Sequence, residues 1–417
     1  QRFLEDTCVV DELDAAMCAA LTDAAEDGVR VTLEQVEAAN LLLFRVDAAG
    51  SAFRYHHLFG EMLRHRLHAQ NPDRYREQHA KAAAHFLRLD DVAAGVRHLW
   101  LAGMADEAAQ LMRDHLAELY MHTGTPPPVD VSAVPDAETL RTSPASSVGY
   151  AVGLMLDGQP QLASILMRLA DLAAASAEGL PLLDQVHITG ARIAAELATG
   201  NTSDAVALTH RMLRLSTGQG IDDDPWLRIA IPFSMRAAVW EQQDDLYSQL
   251  LATARQTTDQ RVWDVDICGV LALHALEQGE VEVAVERATK ASAAALQYGV
   301  VGSGPHVATR AVLGAALVDT GRLAEATAEL SALDGTLRFI RVPSYVIAST
   351  ATARIHRAGG GFDAALSLLT EARSQVRHVA PGPLLLARID STEIGIRLAL
   401  GDVDAATRLQ EGLPSGP

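Results

Sequence analysis

The stretch TGNTSDAVALTHRML, residues 199–213, holds the reading that decides the fold. Gly200 closes one amphipathic run, and Ala205 stands five residues later inside the next. The same pair returns as Gly103/Ala108, Gly158/Ala163, Gly279/Ala284, Gly321/Ala326, Gly360/Ala365 and Gly401/Ala406. From Gly158 onward the glycines are spaced by 42, 79, 42, 39 and 41 residues. The 79 is a double step, and its hidden member is read as Gln243/Ser248 in EQQDDLYSQLL. A fixed period of this size is the mark of a solenoid, in which each unit buries its apolar face only against its neighbours.

The unit is a helical hairpin. Glycine ends the first helix because it enters the left-handed region without a steric penalty. The alanine lies one turn into the second helix, where a small side chain lets two backbones approach. Pro181, Pro225, Pro305, Pro343 and Pro383 fall 16 to 19 residues before the turn positions. Proline is tolerated in the first turn of a helix and not in its middle, so each of these marks where a first helix begins. The fold class expected is all-α: a tetratricopeptide-like superhelix of repeats of about forty residues, with at least twelve helices after residue 145, preceded by a small winged-helix domain.

Composition fits close helix packing. The 417 residues are 49% hydrophobic but only 5% aromatic, so large surfaces are buried mainly by alanine, leucine and valine. The net charge of −19 argues against direct nucleic acid binding, because phosphate contacts need a basic footprint. Cys8, Cys18 and Cys268 have no metal-ligand spacing and are too few for a disulfide framework, which makes a reducing cytoplasm the expected location. No apolar run approaches the ~20 residues that span a bilayer, so no membrane is expected. With Gln1 rather than Met at its start and no signal peptide, the chain reads as a piece of a longer one.

Four segments separate. Residues 1–70 mix signals: DELDAAMCAAL and VTLEQVEAANLL are helical, LLLFRVD and SAFRYHH flank the short turn Ala48-Ala49-Gly50, and HLFGEMLRHRL is helical again. Helices with a terminal hairpin make a winged-helix pattern. Residues 71–122 hold helical pairs opening at Pro72, and residues 123–145 turn polar and proline-rich, as a semi-rigid linker does. Residues 146–413 are the repeats.

At FRYHHLFGEMLRHRL, residues 53–67, the sequence resembles the MalT-like regulators, large ATP-dependent transcription activators with a LuxR-type DNA-binding end. FLEDTCVVDELDAAMCAAL (3–21) and EAANLLLFRVD (37–47) look like the segments that precede this one in the family, and AAAHFLRLDDVAAGVRHLWLAGMADEAAQLM (82–112) is similar to its first helical pairs. The resemblance covers residues 1–120; the later repeats match the family's sensor superhelix in kind. It implies a winged helix that reports the nucleotide state of an upstream ATPase, a superhelix that binds a small-molecule inducer or a regulatory protein, and possible self-association. ATP belongs to the upstream domain, and no cofactor is expected in this chain.

The residues agree with that division. No G-x-x-x-x-G-K-[ST] loop for nucleotide phosphates occurs, and Gly359-Gly360-Gly361 precedes Phe362-Asp363-Ala364-Ala365 as a repeat turn. His57, Glu61 and His65 stand four apart with His56 beside them, but no cysteine or further carboxylate completes a metal site. Asp222-Asp223-Asp224 before Pro225 reads as helix-start chemistry. No nucleophile can be joined to a histidine and carboxylate, so neither a catalytic residue nor an enzyme is expected.

Binding residues are sought on the inner face. Counting back 3, 6, 10 and 13 residues from each turn selects one helical stripe. It contains His187, Phe233, Trp240, Asp266, Arg354, Arg357 and Arg388, with Trp226 and Trp263 one turn earlier. Aromatic faces flanked by Arg and Asp can line a ligand groove. Tryptophans in alanine-rich helices equally fill gaps between them, and both readings stay open. The leading expectation is the ligand- or protein-sensing region of a MalT-like regulator; the alternative is a protein-interaction scaffold forming the regulatory tail of a kinase or other signalling enzyme.

Overall fold

A computed structural model describes residues 2–39, 42–46, 51–121, 129, 134–177, 179–221, 224–257, 259–333, 342–376 and 383–413. The chain forms two compact units, the first from Gln1–His115 with Gly124–Val134 and the second from Leu116–Thr123 with Pro135–Pro417. The winged-helix segment and the helical pairs after it therefore share the first unit.

In the first unit, helices α1 (Arg2–Thr7), α2 (Ala15–Thr22) and α3 (Glu26–Ala38) precede strands β1 (Leu43–Arg45) and β2 (Phe53–Tyr55). Helices α4 (His57–Gln70), α5 (Pro72–Arg88), α6 (Val92–Ala102) and α7 (Ala105–Asp114) follow. Asp14 caps α2 by accepting from the Met17 amide at 2.7 Å, and Asn71 caps α5 just before Pro72. The strands are antiparallel, pairing Leu43 with Tyr55 and Arg45 with Phe53, and Leu13 adds a bridge to Phe53. The expected turn at Ala48-Ala49-Gly50 lies outside the described residues. Leu13, Met17, Leu21, Leu33, Phe53, Tyr55 and Leu63 make the core, where the Thr7 and Tyr55 hydroxyls meet at 2.7 Å. Leu42, Phe44 and Val46 are exposed on the outer face of the hairpin, which they share with Arg54, the cross-strand partner of Phe44; Leu58 and Met62 on α4 are exposed as well.

The second unit begins with the five-residue helix α8 (Leu116–Tyr120). Residues expected as the end of a linker are ordered instead. Asp136 accepts from the Thr139 amide to cap α9 (Ala137–Thr142), and Pro144–Ser146 form a 3-10 turn packed against the helices that follow.

Seven hairpins then stack among the described residues. They are α10 (Ser147–Leu156) with α11 (Pro160–Ser176), α12 (Leu182–Thr199) with α13 (Thr202–Ser216), and α14 (Pro225–Trp240) with α15 (Asp244–Thr257). In the fourth, α16 (Gln260–Val262) runs through a π-helical turn, Trp263–Ile267, into α17 (Cys268–Glu277), which pairs with α18 (Val281–Gln297). The last three are α19 (Gly304–Asp319) with α20 (Leu323–Ser331), α21 (Val342–Ala358) with α22 (Phe362–Val376), and α23 (Pro383–Ala399) with α24 (Val403–Glu411).

Gly200 closes α12 at φ 89°, and the other turn glycines share its left-handed geometry. The repeat alanines from Ala108 to Ala365 are fully buried. The degenerate turn differs by one residue from expectation: Gln242, at φ 54°, takes the left-handed position rather than Gln243. Buried Tyr247 thus stands where other repeats have alanine, stacked on His274 at 4.1 Å, and Ser248 faces solvent.

Successive first helices pack on one another, and α12 also meets α21 while α14 meets α23, four hairpins further on. The superhelix is therefore tightly wound, and its first helices enclose an axis. The approach is close enough that a Cβ on Gly269 would stand 2.2 Å from Thr309 Oγ1.

Candidate ligand site

Tight winding decides where the expected groove residues lie. Trp226, Phe233 and Trp240 are 4%, 5% and 1% exposed, so they fill space between helices instead of lining an open groove. Trp226 stacks on His187 at 5.5 Å, and His187 Nε2 lies 3.1 Å from Asp224. Asp224 caps α14 by accepting from the amides of Trp226 and Leu227; burial opposes its charge, but His187 and these amides hold its carboxyl below the usual range. Asp222 and Asp223 lie outside the described residues. Trp263 is half-buried at the start of the π-turn. Arg354 pairs with Asp319 of the preceding first helix at 2.5 Å, and Arg388 pairs with Glu277, three hairpins back. These two arginines tie repeats together and do not join the aromatic residues in one site.

Asp266 is completely buried and bonded to two residues that the stripe did not select. One is Arg236 of α14, a buried ion-pair partner; the other is Tyr120 of α8, whose hydroxyl donates to Asp266 Oδ2 at 2.5 Å. The Tyr120 ring also meets Phe233, centroids 5.4 Å apart. Arg236 was missed because it lies between the stripe offsets, and Tyr120 because nothing in its sequence ties it to the repeats.

Beyond Arg236 the axis opens into a cavity of ≈ 20 Å³, lined by Trp240, Leu273, Thr309, Ser344 and Ile347 among others, all on first helices. That is room for about one water. A small-molecule pocket is typically ~300–1,000 Å³, so occupancy by a ligand requires something to move out.

Elsewhere the candidates are dispersed. His57 and Glu61 meet at 3.3 Å on an exposed face of α4, and burial pushes the Cys8 and Cys18 thiols up to about 12, which removes their nucleophilicity. No helix among the described residues is long and apolar enough to cross a membrane.

Comparison with known proteins bears on the first unit. The family model for the MalT winged helix domain matches residues 1–75. The HTH-type transcriptional regulator MalT of Cronobacter sakazakii (strain ATCC BAA-894) is 27% identical over 123 residues, which is 30% of this chain and 13% of that protein. Among solved structures, a Signal Transduction ATPase with Numerous Domains (STAND) protein with a tetratricopeptide repeat sensor from Pyrococcus horikoshii aligns at a TM-score of 0.41 and 12% identity, covering 99% of this chain and 63% of that one. Residues 1–75 are a winged-helix domain of the MalT type, and the second unit of the same chain is a helical-hairpin superhelix.

Proposed function

We propose that this chain is the sensing and switching region of a MalT-like transcription activator. The observation that carries the reading is the MalT-type winged helix at residues 1–75, followed in the same chain by a tetratricopeptide-like superhelix. In this reading an ATPase precedes the winged helix and a LuxR-type DNA-binding domain follows the superhelix, in a cytoplasmic protein. The exposed apolar side chains Leu42, Phe44, Val46, Leu58 and Met62 are where the winged helix engages the ATPase. The superhelix binds the signal, and a signal shifts the switch only by its differential affinity for the two states. The chain itself is not an enzyme, holds no cofactor and contacts no nucleic acid.

A regulatory protein as the signal has its own support. Leu162, Ile165, Leu169 and Leu172 are exposed along α11 at spacings of three and four, which is the pattern of a helix that packs against another helix.

The test is made on the complete reading frame. ATP turnover and transcription from a reporter should both depend on the winged-helix face, with Phe44→Asp uncoupling them. The isolated chain should neither hydrolyse ATP nor bind duplex DNA at physiological salt. Turnover by the isolated chain, abolished by a substitution within it, would overturn the reading.

A further inference from the structure

Two backbone irregularities converge on one buried ion pair. Pro232 lies in the interior of α14, where its ring removes a helical hydrogen bond at a cost of about 3 kcal/mol. The next first helix contains the π-turn Trp263–Ile267, a geometry that is rare and concentrated at functional sites. Arg236 stands one turn after Pro232, whose carbonyl accepts from its Nη1 at 3.4 Å, and Asp266 stands within the π-turn. The two residues are 6% and 0% exposed. A buried ion pair is weak evidence for stability, because desolvating two charges offsets their attraction and apolar residues of similar volume hold helices as well. Stability alone therefore does not account for two costly irregularities aimed at one pair; binding does.

The third member comes from outside the repeats. α8 directly follows His115, the last residue of that stretch of the first unit. Five residues are far fewer than the ~12–15 that an isolated helix needs, so α8 depends on its seat. That seat is Asp266, which accepts from Tyr120, and Phe233, which faces its ring.

We propose that the Arg236–Asp266 pair is a ligand site inside the superhelix, that its ligand is a small molecule with a phenolic hydroxyl, and that Tyr120 occupies the site as an internal substitute until the ligand displaces it. The proposal rests on the reading of the superhelix as a sensor. A phenol donates its O–H to Asp266, lays its ring against Phe233, and finds the carboxylate held in place by Arg236. The space that the Tyr120 side chain vacates is the room that the ligand takes, between Phe233 and Asp266. Release of α8 frees the segment that directly follows α7, which carries the signal along the chain. The free ligand competes with a tethered tyrosine, so its apparent affinity is its intrinsic affinity multiplied by the fraction of time that the site stands open.

The test uses p-cresol, the tyrosine side chain as a free molecule. Hydrogen exchange of the whole chain should show that saturating p-cresol accelerates exchange of the α8 amides at least ~tenfold, while α14 stays protected. By calorimetry, Tyr120→Ala should bind p-cresol at least ~tenfold more tightly than wild type because the competitor is gone. Asp266→Asn in that background should abolish the gain. Since Asp266→Asn strands the Arg236 charge and can unfold the helix pair, Phe233→Leu, which keeps the ion pair, serves as the second variant and should weaken p-cresol binding several-fold. Unchanged or slowed α8 exchange in wild type overturns the proposal, even if Tyr120→Ala binds p-cresol, because that result describes only a hole made by the substitution. No gain of affinity in Tyr120→Ala also overturns it. Either failure leaves the regulator reading standing, since that reading is tested by ATP turnover and transcription in the complete protein.

Discussion

Ala284 and Ala326 are completely buried one turn into second helices. Leucine at either position should cost ~1–3 kcal/mol by overpacking. Lys290, with 70% of its side chain exposed and paired only with Glu286 on its own helix, supplies the control: Lys290→Leu should cost almost nothing. Equal unfolding midpoints for the three variants would contradict the packing. Such positions are legible because every hairpin contact but that of Tyr247 is filled by alanine, and sequence shows smallness directly. His79 and His98 are the opposite case. They lie 19 residues apart on α5 and α6, both buried, with their Nδ1 atoms at 2.7 Å, and nothing in their spacing announces the pair. Burial, with the other imidazole and Arg97 nearby, lowers His79 to about 3; burial and Arg97 lower His98 to about 4. The unfolded chain takes up protons near pH 6.5 while the native pair does not, so the stabilising contribution is complete above that pH and falls as pH drops toward 4. Between pH 7 and pH 5 the first unit should lose about 2 kcal/mol through one such histidine. Urea titrations at both pH values, compared with His98→Gln, check this: the variant should show a smaller loss.

At the scale of the element, a helix reveals its ends more readily than its inner face. Pro225, Pro305 and the turn glycines mark boundaries because proline and glycine act through the local backbone, and those boundaries stand where expected. The third hairpin lacks glycine at its turn, so its position was off by one: Gln242 bears the left-handed conformation at some conformational cost. Gln242→Gly should therefore stabilise the superhelix by roughly 0.5–1 kcal/mol, read as a rise in thermal midpoint. Gln243→Gly, outside the left-handed region, should lower it. The π-turn was invisible for a related reason. Trp263–Ile267 reads as ordinary helix, and the extra residue in that turn is accommodated only through neighbours that the local sequence does not include. The Arg236–Asp266 pair shares this dependence, since its members lie 30 residues apart on separate helices. Their meeting is set by how the helices cross.

The whole molecule differs from an open solenoid in how far its contacts reach. In a linear stack each repeat touches only its neighbours, and stability is a sum of intrinsic and nearest-neighbour terms. The sequence period conveys that stacking, because it repeats unit by unit. It does not convey the radius of the superhelix, which follows from small rotations at each hairpin contact. Here the radius is small enough for α12 to meet α21, and with Trp226 and Trp240 buried this favours the gap-filling reading of those tryptophans over the groove. The consequence is measurable. Leu197 on α12 and Ile347 on α21 line the same cavity from hairpins four apart. In a nearest-neighbour stack, Leu197→Ala and Ile347→Ala would destabilise additively to within about 0.3–0.5 kcal/mol. Around a shared cavity the second truncation relaxes into space opened by the first, so the double mutant should depart from additivity by at least ~0.5 kcal/mol. Pairing Leu197→Ala with Leu369→Ala, on α22 and away from that cavity, should restore additivity. Additive behaviour in both cycles would mean that the axis is open in solution and that the first helices line a groove after all.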